Sequence, residues 1–374
     1  MQTSAQIPSW TIAAPVFASA ILLLALAGIA GGGIFLAVIA AALACSVFAA
    51  VHHAEVVAHR VGEPYGTLVL ALAVTLIEVA LIVSLMIAGG QEAAALARDT
   101  VFAAVMIILN GIIGLCLLVG GIKHREQSFS LDGVSAALVA LATIVVMTLV
   151  FPNYTVTTPG PFYSPSQLIL IAIVSVAIYG AFVFTQTVGH RQFFLEGEGG
   201  GRPGAQASGP ADDAGGTHMA RPGNAVTAAS SVLLVICLAC VVLLAKKLAP
   251  SLESAVARMG APNAVVGVII AGIVLLPEGL AALRAARANR LQTSLNLALG
   301  SALASIGLTI PAVSILSLAL HSHLMLGIDP KSTALLMLSL FVAALALRTG
   351  RTIILHGIVL LVIFIVYLFM TVVP

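Results

Sequence analysis

The chain has 374 residues, of which 60% are hydrophobic and 8% are charged, and its mean hydropathy is +1.15. This composition excludes an ordinary soluble globule and indicates an all-α polytopic membrane protein whose solvent is the lipid bilayer. A formal net charge of +2, spread over short loops, forms no basic patch of the kind that nucleic-acid binding needs. We therefore expect no nucleic-acid partner.

Eleven apolar runs are long enough to cross about 30 Å of hydrocarbon. They lie near residues 11–31, 33–51, 65–89, 98–121, 131–151, 167–187, 225–248, 263–285, 293–319, 329–348 and 353–373. No basic segment precedes the first run, so we interpret it as a retained helix rather than a cleaved signal peptide. The break between the first two runs depends only on three consecutive glycines at 31–33.

A segment rich in Gly, Pro, Ala and acidic residues separates the sixth run from the seventh, and it cannot bury enough apolar surface to fold. The predicted organisation is an N-terminal transmembrane helix (1–32), a five-helix repeat (33–189), a disordered cytoplasmic linker (190–224) and a second five-helix repeat (225–374). Because each repeat has an odd number of spans, the two repeats must be inverted relative to each other.

One acidic residue lies in the second run of each predicted repeat. Glu78 is the only charged residue of 65–86, and Glu278 follows Pro277 in 265–283. Because proline has no N–H to donate, Pro277 predicts a break in the helix beside this acid. A charged side chain at the bilayer centre costs about 2.5–3.5 kcal/mol, so such residues usually face protein or water. Inverted repeats would bring both acids to one site near the midplane. Alternatively, Glu278 lies near a helix end and reaches the headgroups, with Pro277 as a simple kink.

Two buried carboxylates suggest a site where protons and a cation compete. Burial disfavours the charged form of a carboxylate, and a bound divalent cation reverses that preference. Proton and cation then cannot occupy the site together, which is what exchange requires. Since calcium takes 6–8 oxygen ligands, the two acids need help. Candidate supporting ligands are Asn110, Ser301, Ser305 and Thr75, although small polar residues also serve as packing contacts between membrane helices.

A cluster of titratable residues, His52, His53, Glu55 and His59, follows the second run. Glu55 is a candidate for guarding the cytoplasmic mouth of the site or passing protons to it. The histidines titrate near neutrality and could sense pH, or the segment could be a hydrated interfacial turn. A metal-dependent hydrolase remains a remote alternative, because the zinc-protease order His-Glu-x-x-His is not present.

The distribution of Lys and Arg predicts the orientation, because cytoplasmic loops collect positive charge. Eleven of these residues fall on the side of the N-terminus and five on the opposite side. We therefore expect a multi-pass protein of the inner (plasma) membrane with a cytoplasmic N-terminus and an exoplasmic C-terminus.

Three stretches resemble the calcium/proton exchangers of the cation/calcium exchanger superfamily, and most closely the bacterial calcium(sodium, potassium)/proton antiporter branch. They are HAEVVAHRVGEPYGTLVLALAVTLIEVALI, ILNGIIGLCLLVGG and LLPEGLAALRAARANRLQTSLNLALGSALASIGLTIP. The resemblance implies one N-terminal helix plus two inverted five-helix repeats, with Glu78 and Glu278 binding calcium and exchanging it for protons. Unlike many relatives, the chain has no asparagine in either acid motif, and Ala304 replaces a usual glutamine.

The sequence thus predicts a secondary antiporter that exchanges cytoplasmic calcium for external protons by alternating access, rather than an enzyme. Sodium or potassium in place of calcium is the alternative on the same fold. We expect no cofactor besides the transported ions. No oligomeric state, proton stoichiometry or access state is predicted.

Overall fold

The computed structural model describes residues 8–28, 33–62, 65–89, 95–194, 222–321 and 323–373, with the backbone only for 65–71, 85 and 87–89. Twelve helices account for most of these residues. They are α1 (Ser9–Leu26), α2 (Gly33–Val61), α3 (Tyr65–Gly89), α4 (Leu96–His124), α5 (Leu131–Tyr154), α6 (Pro165–Gly189), α7 (Asn224–Arg258), α8 (Ala264–Val274), α9 (Leu276–Arg287), α10 (Leu291–Ala319), α11 (Pro330–Leu347) and α12 (Ile354–Val372).

Within the described ranges, nine helices are long and apolar enough to cross a membrane, and the bent pair α8–α9 makes a tenth span. An all-helical membrane protein is therefore confirmed. The helix α3 has 25 residues, but only part of its side chains is described. The predicted total of eleven spans depends on α3 and stays a prediction. The glycine break predicted between the first two runs lies partly outside the described residues.

Helix boundaries follow the local chemistry of the sequence. The helix α6 begins with a capping box, in which Ser164 and Gln167 satisfy each other's backbone N–H groups, and Pro165 occupies the first turn. Asp329 caps α11 with its side chain alone, accepting from the backbone N–H of Ser332 at 2.7 Å.

The helix α2 is longer than the predicted run, which ended near residue 51. It continues to Val61 and stops at Gly62, whose φ of +78° is the left-handed conformation that commonly terminates helices. The interpretation of the histidine cluster as an interfacial turn is therefore wrong. The intervening residues include no proline or glycine, so nothing in this segment breaks the helix.

The two halves of the chain pack on each other reciprocally. Strand β1 (Glu126–Ser128), between α4 and α5, pairs antiparallel with β2 (Arg351–Ile353), between α11 and α12. An isolated bridge joins Phe162, between α5 and α6, to Met325, between α10 and α11. The first half comprises α2–α6 and the second α7–α12, in which α8–α9 counts as one broken span. Each pairing thus joins the third connection of one half to the fourth connection of the other.

Helices of the two halves also pack in reciprocal pairs. The helix α2 packs along α7, α4 packs against α12, and α6 packs against α10. This pattern is the one expected of two repeats related by a pseudo-two-fold axis. The repeat boundaries themselves stay predictions, and most of the predicted linker lies outside the described residues. Its first residues do not match the predicted disorder, because Arg191–Phe193 forms a 3-10 turn.

Candidate cation-binding site

A break in the helical span α8–α9 positions Glu278. The two helices meet at Leu275 with a bend of 55°, which confirms the predicted break. Pro277 lies in the first turn of α9, where backbone N–H groups have no intrahelical partner and a missing N–H costs little. Glu278 therefore also lies in the first turn, where the positive end of the helix dipole favours a negative charge.

The carboxylate of Glu278 is enclosed by protein. Both of its oxygen atoms are buried and have no hydrogen-bond partner within the described part of the chain. Glu78 and Glu55 lie close enough to Glu278 to interact with it electrostatically. Because a buried carboxylate without partners is costly, the position is suited to a proton or a cation rather than to a bare charge.

Glu78 joins the two halves of the chain through a hydrogen bond. Its side chain on α3 is 5% exposed, and its Oε1 accepts a hydrogen bond of 2.5 Å from the hydroxyl of Ser305 on α10. Thr75 is buried one turn before Glu78, and Ser301 is half-buried one turn before Ser305. The structure thus brings Ser305 onto one of the two acids and leaves Thr75 and Ser301 on neighbouring turns.

Asn110 makes a different set of contacts. It lies in a π-helical segment of α4, Ile107–Ile112, and is fully buried. Its Nδ2 donates to the hydroxyl of Ser339 on α11 at 2.9 Å, while its Oδ1 is buried without a partner among the described residues. The donor side of the amide is therefore directed at α11, and the acceptor side keeps a free lone pair.

Sequence reasoning missed two hydroxyl groups in this region. Ser339 is the partner of Asn110, and Thr309, one turn beyond Ser305, has a buried hydroxyl with no partner in the described part of the chain. A lone Ser or Thr in an apolar run is common in membrane helices. Ser339 is distinguished from such packing residues by its hydrogen bond with Asn110. The two residues are 229 positions apart in the sequence, so nothing in the sequence indicated this contact.

The titratable cluster of α2 divides into two parts. His53 is buried and its Nε2 donates to the backbone carbonyl of Thr11 at 3.1 Å, while the ring of His52 packs against Trp10. These histidines therefore attach α1 to α2. The described residues contain no group of three His, Cys, Asp or Glu side chains arranged to hold a metal ion.

Glu55 faces the other way, toward α9. Its carboxylate lies 3.9 Å from Nδ1 of His52, and it is within electrostatic range of both Arg284 and Glu278. Its side chain is 46% exposed, in contrast to the buried oxygens of Glu278. Glu55 thus combines exposure to solvent with a position within electrostatic range of the enclosed Glu278.

A bundle of membrane-spanning helices with a broken span and two enclosed acids from opposite halves has the features of an ion-coupled secondary transporter. The comparison with known families identifies it further. The family model described as sodium/calcium exchanger protein matches residues 29–188 and 229–373, one segment on each side of the predicted linker. The chain belongs to this family of exchangers.

Two curated relatives cover most of the chain. It is 48% identical over 373 residues to the putative ionic transporter y4hA of Sinorhizobium fredii, covering 99% of this chain and 98% of the relative. It is 36% identical over 323 residues to the sodium-potassium/proton antiporter ChaA of Escherichia coli, covering 86% of this chain and 84% of that protein.

Solved structures share the fold at low sequence identity. Native YfkE superimposes with a TM-score of 0.71 at 17% identity, over 96% of this chain and 99% of that one. The H⁺/Ca²⁺ exchanger CAX gives a TM-score of 0.68 at 14% identity, over 96% of this chain and 89% of that one.

Proposed function

We propose that this protein is an antiporter that exchanges cytoplasmic calcium for external protons by alternating access, with Glu78 and Glu278 binding either the cation or protons. The observation that carries the proposal is the hydrogen bond from Ser305 of the second half to Glu78 of the first half, with Glu278 of the second half within electrostatic range of Glu78. Acids from both halves thus belong to one enclosed site, which a relative movement of the halves can expose to either side.

The chemistry of coupling follows from the two carboxylates. When both are ionised, the site carries two negative charges that one calcium ion neutralises. When calcium leaves, protons must replace it, because two bare carboxylates in a dry pocket repel each other. The site therefore exchanges one kind of ion for the other without a stable empty charged state.

Transport of sodium or potassium is the second candidate function. It is supported by the 36% identical relative, a sodium-potassium/proton antiporter. The shortage of amide oxygens points in the same direction, since neither acid motif contains an asparagine and Ala304 replaces a usual glutamine. We prefer calcium as the transported cation because the charge of a divalent ion matches that of two ionised acids.

Glu55 and the polar side chains have supporting roles in this proposal. Glu55 passes protons between the cytoplasmic surface and Glu278, because it is exposed to solvent and within electrostatic range of that acid. Ser305 supplies a ligand oxygen, with Thr75, Ser301 and the free Oδ1 of Asn110 as further candidates.

The proposed location is the bacterial inner membrane, with a cytoplasmic N-terminus and an exoplasmic C-terminus. The excess of Lys and Arg on the side of the N-terminus supports this orientation.

A transport assay with several cations tests the proposal. In everted vesicles with an acidic interior, adding calcium outside should dissipate the proton gradient, and we expect the half-maximal concentration to be lower for calcium than for sodium or potassium. A response to sodium or potassium alone would replace calcium by the second candidate. No response to any of the three cations would remove the antiporter proposal.

Replacing Ser305 tests the supporting ligand. We expect Ser305→Ala to raise the half-maximal calcium concentration about tenfold, because Glu78 loses a charge-assisted hydrogen bond and the ion loses an oxygen ligand. Ser314→Ala is the matched control, since this buried serine of the same helix donates to the carbonyl of Ile310 in its own helix and to no other described residue. Equal affinities in the two variants would contradict a role for Ser305 in binding.

A further inference from the structure

A cavity of about 150 Å³ lies at one end of the bundle, and neither Glu78 nor Glu278 lines it. It is formed where α4, α8 and α11 begin and where α12 ends. Ala264, at its rim, precedes Glu278 by 14 residues. At 1.5 Å per helical residue the cavity is about 20 Å from that acid. The ends of membrane-spanning helices lie at the depth of the lipid headgroups, so the cavity lies at a membrane surface.

Two basic and two acidic side chains line the cavity, so their charges balance. Nε and Nη2 of Arg98 both lie 2.8 Å from Oδ1 of Asp99, and Nη1 donates to the carbonyl of Gly327. Lys331 donates to the carbonyl of Met370 at 2.8 Å and has two further N–H groups. A simple cation or anion would meet repulsion as well as attraction here, whereas a ligand that carries both charges would meet complementary partners.

The acids are arranged for an ammonium group. Asp329 caps α11, and each of its oxygens accepts one hydrogen bond from Ser332 and retains a further lone pair. The apolar part of the wall includes Phe102 and Tyr367, whose rings meet edge to face with centroids 5.6 Å apart. Aromatic rings attract ammonium groups, and tyrosine is enriched at the membrane surface.

We propose that this cavity binds the phosphoethanolamine headgroup of a phospholipid. Lys331 and Arg98 bind the phosphodiester, while Asp99 and Asp329 bind the ammonium. The site joins α4 of the first half to α8, α11 and α12 of the second half. A bound headgroup therefore stabilises the arrangement of the halves seen here. The proposal does not depend on which ion is transported.

Two substitutions remove one charge each without disturbing the fold. Lys331→Met keeps the apolar stem of a half-buried side chain and removes the phosphate contact. Asp329→Asn removes the ammonium contact and keeps the helix cap, because Asn caps helices as well as Asp. Arg348→Met is the matched control, since it removes an exposed cation at the opposite end of the same helix.

Native mass spectrometry of the full chain, purified with equimolar phosphatidylethanolamine, phosphatidylcholine and phosphatidylglycerol, tests the proposal. We expect one phosphatidylethanolamine to be retained preferentially, and its affinity to fall about five- to tenfold in Lys331→Met and in Asp329→Asn but not in Arg348→Met. Equal retention of the three lipids, or unchanged retention in both cavity variants, would overturn it.

Competition with free glycerophosphoethanolamine identifies the source of the ligand. Displacement of the lipid only at concentrations well above that of the lipid would support a membrane source. If the free compound binds as tightly as the lipid, the cavity recognises the phosphoethanolamine group as proposed, but its ligand is a soluble compound. If saturating free compound displaces no lipid, the acyl chains hold it and the headgroup proposal fails.

Discussion

Everted vesicles that contain Glu278→Gln, or Glu78→Gln, are expected to show no cation-dependent proton exchange above the level of vesicles without the protein. Glutamine has nearly the same shape as glutamate, so the packing around the broken span is preserved. It cannot ionise, however, and therefore neither binds a cation by charge nor carries a proton. Because each turnover needs both acids of the enclosed site, either substitution alone should be sufficient.

Two other glutamates provide the comparison for this experiment. Glu253→Gln, on the exposed surface of α7, should transport as the wild type does. Glu55→Gln should slow exchange several-fold without abolishing it, because a proton can reach Glu278 through water when the relay acid is lost. Retained exchange in both Glu78→Gln and Glu278→Gln would contradict the mechanism, whatever the behaviour of the two comparison variants.

Gly357→Ala is expected to destabilise the protein by about 3 kcal/mol or more, because α12 packs directly against the backbone of α4. A Cβ atom at Gly357 would lie 2.8 Å from both the carbonyl oxygen of Gly114 and Cα of Leu118, and closer still to the backbone N of Leu118. Backbone atoms cannot move aside as a flexible side chain can. The two helices, which come from opposite halves, would have to separate.

Thermal unfolding in detergent measures this effect, with Gly180→Ala as the matched control. Gly180 lies on the exposed face of α6, and no atom lies within 4 Å of the position of its Cβ. Both substitutions gain the higher helix propensity of alanine, so the difference between them isolates the contact at Gly357. A midpoint for Gly357→Ala equal to or above that of Gly180→Ala would show that α12 does not pack against α4 in this way.

Local properties of the sequence predicted the elements well. Ten of the eleven predicted apolar runs correspond to described spans, because the length of an apolar run is set by the thickness of the bilayer. The break at Leu275 was predicted because proline cannot donate the helical N–H at position 277. The end of α2 was not, since a span that continues past the hydrocarbon region leaves no apolar signal.

The two acids were recognisable from the sequence because a lone charge in an apolar run is rare and costly. Their partners were not. Ser305 contacts Glu78 and Ser339 contacts Asn110, although Ser301 and Ser314 look equally suitable along the chain. Which hydroxyl faces which acid depends on the rotation of each helix about its axis, and that rotation is set by packing between elements more than 200 residues apart.

The sequence by itself determined that the chain is a helical membrane protein with an acidic span in each half and a break before Glu278. Hydropathy, charge and the missing proline N–H are properties of single residues and their neighbours, so they can be read without the fold. The tertiary structure alone decided that Ser305 of one half bonds Glu78 of the other, and that the histidines of α2 hold α1 while Glu55 turns toward Glu278. The contacts of Ser305 and Glu55 arise only when the two halves pack together, since each joins side chains of opposite halves, and the contact of the histidines needs α1 to pack against α2.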